Sequence, residues 1–163
     1  MRQHARFKAE NPGCVLFFRM GDFYEMFDED AKLTHKVLGL TLTERSSGIP
    51  MAGIPYHSAE AYIRKLIQQG YRVAVCEQIQ DPSEAKGVVD RAVTRVLTPG
   101  TLVDDTLLDD GVANIAAALV IEGDDAIISW AELSTGSLHV RSLPSNMVLD
   151  ELVRIGPSEL IYP

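Results

Sequence analysis

An aromatic ring and a carboxylate stand two positions apart in the most unusual run of the sequence, RMGDFYEMF at residues 19–27. Phe23 and Glu25 follow a Gly-Asp turn, where the chain meets solvent. An aromatic ring can stack on another flat ring, and a carboxylate accepts hydrogen bonds or, when protonated, donates one. Helical periodicity assigns Tyr24 and Phe27 to the core, but it leaves open whether Phe23 is a surface wedge or a core residue.

Other pairs of reactive side chains carry a weaker signal. Glu84 and Lys86 form a Glu-X-Lys pair, as in metal-dependent nucleases, but their segment is typical of a loop rather than a strand. His57 and Cys76 could act as base and nucleophile, but a turn histidine and a buried thiol explain them more simply. The aspartates of residues 104–110 are typical of a solvated linker. We therefore expect no catalytic residue and no metal site, with a nuclease using Glu84 and Lys86 as an alternative.

Charge divides the chain into two parts. The 163 residues are 46% hydrophobic and 23% charged, which is typical of a globular protein with a core, and the net charge is −8. Residues 1–102 carry 13 basic and 12 acidic side chains, whereas residues 103–163 carry 2 basic and 11 acidic ones. This asymmetry predicts two units with different partners, of which only the first suits a phosphate backbone.

Several classes of protein are disfavoured by composition. The longest apolar runs fall far short of the ~20 residues that cross a bilayer, and the charged N-terminus has no apolar stretch behind it, as a secretory signal would. Cys14 and Cys76 lie in strand-like runs and are predicted to be buried thiols rather than a disulfide. No glycine-rich phosphate loop ending in Gly-Lys-Ser/Thr occurs. We expect a cytoplasmic protein without a membrane partner.

Strand and helix patterns alternate through the first part. Apolar periodicity, caps and breakers predict helices at 2–10, 23–38 and 59–69 and strands at 14–20, 40–43, 49–54, 71–79 and 91–98. In this prediction Asp22 is the N-cap of a helix that begins at Phe23. The pattern indicates an α/β (mixed α+β) fold, with a small mixed sheet flanked by helices.

The second part has a different pattern. Residues 103–113 are predicted to be an acidic linker, and strands at 114–122, 126–133 and 137–143 form an antiparallel meander. A helix follows Ser145, and a fourth strand begins at Glu159. Because the chain stops inside that strand, we expect a truncated domain.

Four blocks of the sequence resemble the MutS DNA mismatch repair family. Residues 21–27 are similar to its Phe-X-Glu mismatch-reading motif, and the further blocks, in family order, lie at residues 50–57, 75–78 and 96–101. The resemblance spans the whole chain. It implies a mismatch-recognition domain at 1–102, the linker at 103–113, and the truncated start of a ribonuclease-H-like connector domain at 114–163.

The resemblance also implies roles for particular residues. Phe23 would stack on a mispaired base in a kinked minor groove, and Glu25 would form a hydrogen bond to that base. Candidate contacts to the DNA backbone are Arg45, Lys86, and Arg91 with Arg95, which strand periodicity places on one face. The remaining alternative is a protein-interaction module in which Phe23 belongs to the core.

Cofactors and partners follow from the same resemblance. It implies that the full-length protein is a homodimer that hydrolyses ATP with Mg²⁺, binds mismatched double-stranded DNA and works with a MutL-type partner. For the present 163 residues we expect no cofactor and no catalysis. The expected location is the cytoplasm, in association with the nucleoid.

Overall fold

The computed structural model describes residues 1–45, 48–80, 87–100 and 114–163. The chain forms two compact units, Met1–Leu97 and Thr98–Pro163, and each contains its own sheet. The predicted mixed α+β class is confirmed. The predicted linker at 103–113 lies outside the described residues.

The described residues of the first unit contain three α-helices, one short 3-10 helix at Tyr56–Ser58 and a six-stranded sheet. Its elements are α1 (Arg2–Glu10), β1 (Cys14–Met20), β2 (Phe23–Phe27), α2 (Asp28–Leu38), β3 (Thr43–Arg45), β4 (Ile49–Pro55), α3 (Ala59–Gln68), β5 (Arg72–Gln78) and β6 (Arg91–Leu97). The strand order is β3-β4-β2-β1-β5-β6. β1 and β5 run parallel, and the other neighbouring strands are antiparallel.

β1 lies in the interior of the sheet because it is apolar on both faces. Its first five residues are all buried, as expected for a strand that is covered on both sides. On one face α1 packs through Phe7 against Phe18. On the other face α3 buries Ile63 and Leu66, and α2 packs beside α3 and β4.

The predicted helix at 23–38 is wrong in its first five residues. Phe23–Phe27 is a strand, β2, which pairs with β1 and β4, and the helix begins only at Asp28. The run FYEMF fits the helical period of about 3.6 residues and the strand period of 2 residues. The strand forms because β1 and β4 pair with β2 on its two sides and satisfy its backbone N–H and C=O groups. Gly21 opens the two-residue turn before β2 with a φ of +59°, a conformation that glycine adopts without strain.

A buried carboxylate joins α1, β1 and α2. Asp30, in the first turn of α2, accepts two hydrogen bonds from Lys8 Nζ, at 2.7 and 2.8 Å. It also accepts one from the backbone N–H of Leu16, at 3.0 Å. The Asp30 side chain is only 9% exposed. This arrangement fixes the position of α1 over its half of the sheet.

The second unit contains the predicted meander. Its elements are β7 (Ile115–Glu122), β8 (Asp125–Glu132), β9 (Ser137–Pro144), α4 (Val148–Ile155) and β10 (Glu159–Ile161). The strand order is β10-β7-β8-β9, with β10 parallel to β7. α4 covers one face around Leu119, Ile128 and Leu143. The three-strand meander, helix and strand are therefore confirmed, and the ribonuclease-H-like assignment stays a prediction.

Two further expectations can be compared with the structure. Cys14 and Cys76 are free and buried, as predicted. Within the described ranges, no helix combines the length and the apolar character that crossing a bilayer demands.

Replacing Asp30 with alanine is expected to lower the free energy of unfolding by about 2–3 kcal/mol, because it removes the counter-charge of Lys8 and leaves the buried N–H of Leu16 without its acceptor. Chemical denaturation of the 163-residue chain measures this loss. Glu29→Ala removes an exposed carboxylate from the same helical turn and is expected to change stability by less than ~0.5 kcal/mol. Equal effects of the two substitutions would contradict a structural role for Asp30.

Candidate nucleic-acid interface

The alternation of β2 places Phe23 and Glu25 on the same face of the sheet. Tyr24 and Met26 point to the α3 side and are 5% and 0% exposed. Phe23, at the opposite face, is 48% exposed. The alternative in which the Phe23 ring lies in the core is therefore wrong. A half-exposed aromatic ring at the start of a strand is available for stacking on a partner.

Neighbouring strands complete the surface around the ring. Direct partners in antiparallel pairs share a face, so Met20 of β1 and Gly53 of β4 lie beside Phe23 and Glu25, respectively. Arg45 of β3 reaches the same surface, where its Nη1 lies 3.4 Å from Met20 Sδ. We call these five residues the open face. The open face lies on the same side of the sheet as α1, next to the region that α1 covers.

Glu25 and Arg45 form the charged part of the open face. Arg45 Nη1 lies 3.4 Å from Glu25 Oε2, and both side chains are partly buried. Burial raises the pKa of Glu25, and the Arg45 guanidinium opposes that rise. The carboxyl group is therefore easier to protonate than an exposed glutamate, because the folded surface solvates its charge poorly.

A hydrogen-bonded network on the opposite face anchors β2. The Tyr24 hydroxyl donates to the Glu77 carboxylate, which also faces Arg19 Nη1 at 3.7 Å. Burial and the Glu77 carboxylate raise the pKa of Tyr24 to about 12, so the phenol stays protonated and keeps donating. Glu77 belongs to the resemblance block 75–78, but sequence reasoning gave it no role.

Arg19 also stabilises the turn that precedes Phe23. Its guanidinium carbon lies 3.7 Å from the centre of the Tyr56 ring, and its Nε donates to the carbonyl of Gly21. The backbone N–H of Tyr56 donates to the carbonyl of Asp22 at 2.9 Å. Sequence reasoning missed both residues, although Tyr56 belongs to the resemblance block 50–57. Together these contacts hold both strands that flank the Phe23 backbone.

The prediction that Arg91 and Arg95 share one face of a strand is wrong. A β-bulge opposite Val75 and Cys76 inserts an extra residue into β6, which reverses the alternation between the two arginines. Arg91 lies over the Phe18 ring on the α1 side and donates to the carbonyl of Arg19. Arg95 lies on the α3 side and pairs with Glu60.

The remaining sequence candidates do not form a site in the described part of the chain. Cys76 is fully buried, and burial raises its pKa to about 11, which disfavours a nucleophilic thiolate. Glu84 and Lys86 lie outside the described residues. This applies to the alternative nuclease pair and to Lys86 as a candidate contact to the DNA backbone. In the part that is described, no three histidine, cysteine or acidic side chains are grouped as metal ligands.

Comparison with known proteins identifies the class of this domain. Residues 1–106 match the family model of MutS domain I. The chain is 47% identical to the DNA mismatch repair protein MutS of Halothermothrix orenii, over 99% of this chain and 19% of the relative. The proteins of the same name from Anaplasma phagocytophilum and Staphylococcus carnosus are 46% and 45% identical over 99% of this chain, and the alignments cover 20% and 19% of those relatives.

The chain belongs to the MutS family, because the domain I match covers more than half of it. The resemblance seen in the four sequence blocks is thereby confirmed. The chain spans about a fifth of the length of the curated relatives it matches.

Replacing Arg45 with methionine is expected to raise the pKa of Glu25 further, because burial then acts on the carboxylate without an opposing positive charge. Carbon-detected NMR titration of the Glu25 carboxyl in the 163-residue chain measures this shift. Arg45→Lys keeps the charge and is expected to leave the Glu25 pKa nearer that of the unsubstituted chain. An unchanged or lower pKa in Arg45→Met would contradict the ion pair.

Proposed function

We propose that this chain recognises mismatched or unpaired bases in duplex DNA and so starts mismatch repair. Phe23 is the aromatic wedge, and Glu25 forms a hydrogen bond to the wedged base. The observation that carries the proposal is that Phe23 is 48% exposed on the same face of the sheet as Glu25, whose side chain is partly buried. Membership of the MutS family supports it.

The wedge can select mismatches through the stiffness of DNA. Inserting an apolar side chain between base steps costs a few kcal/mol of unstacking and kinks the duplex, whereas stacking a base on an aromatic ring returns roughly 1–3 kcal/mol. These energies nearly cancel, so a paired step resists Phe23, and a weakly paired or looped base yields. Selectivity then depends on deformability, and one ring serves many different mismatches.

Glu25 adds a penalty that only a mismatch relieves. A carboxylate that faces DNA is repelled by phosphates, and it can donate a hydrogen bond to a purine N7 only when it is protonated. The raised pKa of Glu25 makes that protonation easier. Approach to an anionic duplex raises it further, by bringing negative charge and excluding water. Paired DNA therefore leaves the Glu25 carboxylate charged and repelled by the phosphates. A wedged base removes this repulsion, because it accepts a hydrogen bond from the protonated carboxyl group.

The cations have separate parts in this proposal. Arg45 lies on the open face with Phe23 and Glu25, so it is the described candidate best placed for a phosphate near the wedge. Arg91 shares the α1 side of the sheet with them, and Arg95 lies on the other side with Glu60. Lys86 is proposed from the resemblance alone. Phosphate contacts position the protein on the duplex and carry no sequence information.

The activity of the longer protein is part of the proposal. Its relatives are about five times as long as this chain, and the proposed functions of the remainder are ATP hydrolysis with Mg²⁺, homodimer formation and engagement of a MutL-type partner. The present 163 residues are proposed to catalyse nothing and to bind DNA more weakly than the longer protein, because they lack its remaining contacts and their second part is strongly acidic. The proposed location is the cytoplasm, at the nucleoid.

Replacing Phe23 with alanine is expected to lower affinity for a G·T-mismatched duplex by about 10- to 100-fold, which corresponds to the loss of one base–aromatic stack. Affinity for the paired duplex should change less than about twofold, because that complex rests on phosphate contacts. Fluorescence anisotropy measures both affinities. The assay uses the 163-residue chain and also a chimaera, in which these 163 residues replace the matching 19% of the Halothermothrix orenii relative.

The matched control for this substitution is Tyr162→Ala, which removes an exposed aromatic ring from the second unit. It should leave the ratio of mismatched to paired affinity unchanged. If Phe23→Ala also left that ratio unchanged in the chimaera, the proposed function would be wrong.

Replacing Glu25 with glutamine is expected to raise affinity for the paired duplex by about three- to tenfold, because it removes a negative charge close to phosphates. The preference for mismatched DNA should fall accordingly. The same anisotropy assay measures both effects, with Glu29→Gln as a control that removes an exposed carboxylate from α2. Lower affinity of Glu25→Gln for the paired duplex would refute the repulsion.

A further inference from the structure

We propose that Gly53 is a specificity-determining residue, whose missing side chain leaves a gap between Phe23 and Glu25 in which one nucleobase can contact both. The inference rests on the proposed function and extends it to a residue without a reactive group. It also gives a role to the resemblance block 50–57, in which Gly53 lies and which neither the wedge nor the carboxylate explains.

The register of the sheet places Gly53 between the two recognition residues. Gly53 is the direct partner of Glu25, and Pro55, two residues on, is the partner of Phe23. All four residues share one face of the sheet, and Gly53 itself is exposed. Its neighbours Ala52 and Ile54 are each 1% exposed on the opposite face. The Gly53 backbone is therefore held firmly, with only the gap above it open.

Distances show what a side chain at this position would touch. A Cβ atom built on Gly53 would lie 3.8 Å from Phe23 Cδ1 and 3.9 Å from Glu25 Cγ. It would also lie 3.6 Å from the carbonyl oxygen of Tyr24. These are ordinary van der Waals separations, so a methyl group fits without a clash. It would occupy the space that separates the ring from the carboxylate arm.

The backbone does not require glycine at this position. Gly21 has a φ of +59°, whereas Gly53 is an extended residue inside β4 and does not have a positive φ. Glycine weakens a strand interior, and it is found where a ligand or another chain approaches the backbone closely. A strand that carries glycine without a conformational need, next to both the exposed Phe23 and the partly buried Glu25, points to a bound group above it.

A nucleobase has the chemistry that suits this gap. It is flat enough to lie against the Phe23 ring, and its edge carries acceptors for a protonated carboxyl group such as that of Glu25. A phosphate does not fit the gap, because the flanking carboxylate repels it. If Gly53 instead served only close approach of the DNA backbone, its substitution would weaken mismatched and paired complexes equally.

The test is a size series at position 53, Gly53→Ala and Gly53→Val, in the chimaera described above. Affinity for the mismatched duplex should fall about tenfold with alanine, near the lower end of the effect of one base–aromatic stack. With valine it should fall to the level of Phe23→Ala. Affinity for the paired duplex should stay within about twofold. The melting temperature should stay equal or rise, because alanine and valine suit a strand better than glycine does.

One further measurement and a control variant separate this role from a structural one. A 2-aminopurine placed at the mispaired position reports stacking through its fluorescence, which the unsubstituted protein should quench and Gly53→Val should not. Val96→Ile is the matched control, because it adds one carbon at an exposed position of β6 in the same sheet, three strands away from β2. It should alter neither the affinity ratio nor the quenching.

The possible results distinguish a failure of the role of Gly53 from a failure of the proposed mismatch recognition. Unchanged mismatch affinity in Gly53→Val, or equal losses for both duplexes, would overturn the role of Gly53. If Phe23→Ala still abolished the mismatch preference, the proposed function would survive that result. If neither substitution changed the preference, both proposals would be wrong.

Discussion

The outward position of Phe23 depends on the burial of its neighbour Tyr24. Side chains of a strand alternate between faces, so a tyrosine held beneath the sheet forces the preceding residue to the opposite surface. The Tyr24 hydroxyl is tied to Glu77, and Glu77 in turn faces Arg19. A register slip by one residue would turn Phe23 inward and break this buried network. The surface proposed for recognition is thus stabilised by contacts on the face that the proposed DNA contact does not reach.

The position in which α1 is anchored leaves part of the sheet face that carries Phe23 uncovered. α1 lies over Phe18, and the Lys8–Asp30 interaction joins it to α2 at the other end of β2. The helix ends at Glu10, ahead of a breaker, so it covers only part of the sheet. A single exposed aromatic residue is not unusual by itself; the binding role proposed for Phe23 rests on its place beside Glu25 on this face and on membership of the MutS family.

The two charged groups of the open face, Glu25 and Arg45, attract each other. Arg45 lies close enough to Glu25 to oppose part of the effect of burial, and it also contacts Met20 beside Phe23. The pKa of Glu25 is therefore raised by burial, but less than it would be without the guanidinium. A binding surface of this kind responds to the charge of its partner, because an approaching phosphate attracts Arg45 and repels Glu25 at once.

Much of this protein followed from local sequence patterns. The buried run of β1, the helix before Gly70, the meander of the second unit and the two buried thiols were all predicted, since apolar periodicity and turn residues act over short distances. The four resemblance blocks also identified the family before any coordinates. The position of Phe23 after the Gly-Asp turn drew attention to it, and the resemblance to the MutS family supplied the roles predicted for Phe23 and Glu25.

Only the tertiary structure decided which way these side chains point. Residues 23–27 fit a helix as well as a strand, and pairing with β1 and β4, which are distant in sequence, settled the choice. The bulge in β6 likewise separated Arg91 from Arg95, although strand periodicity had placed them together. The role proposed for Gly53 arose only from the register, which sets it next to both Phe23 and Glu25. Such features depend on contacts between distant strands, whose register a local pattern cannot specify.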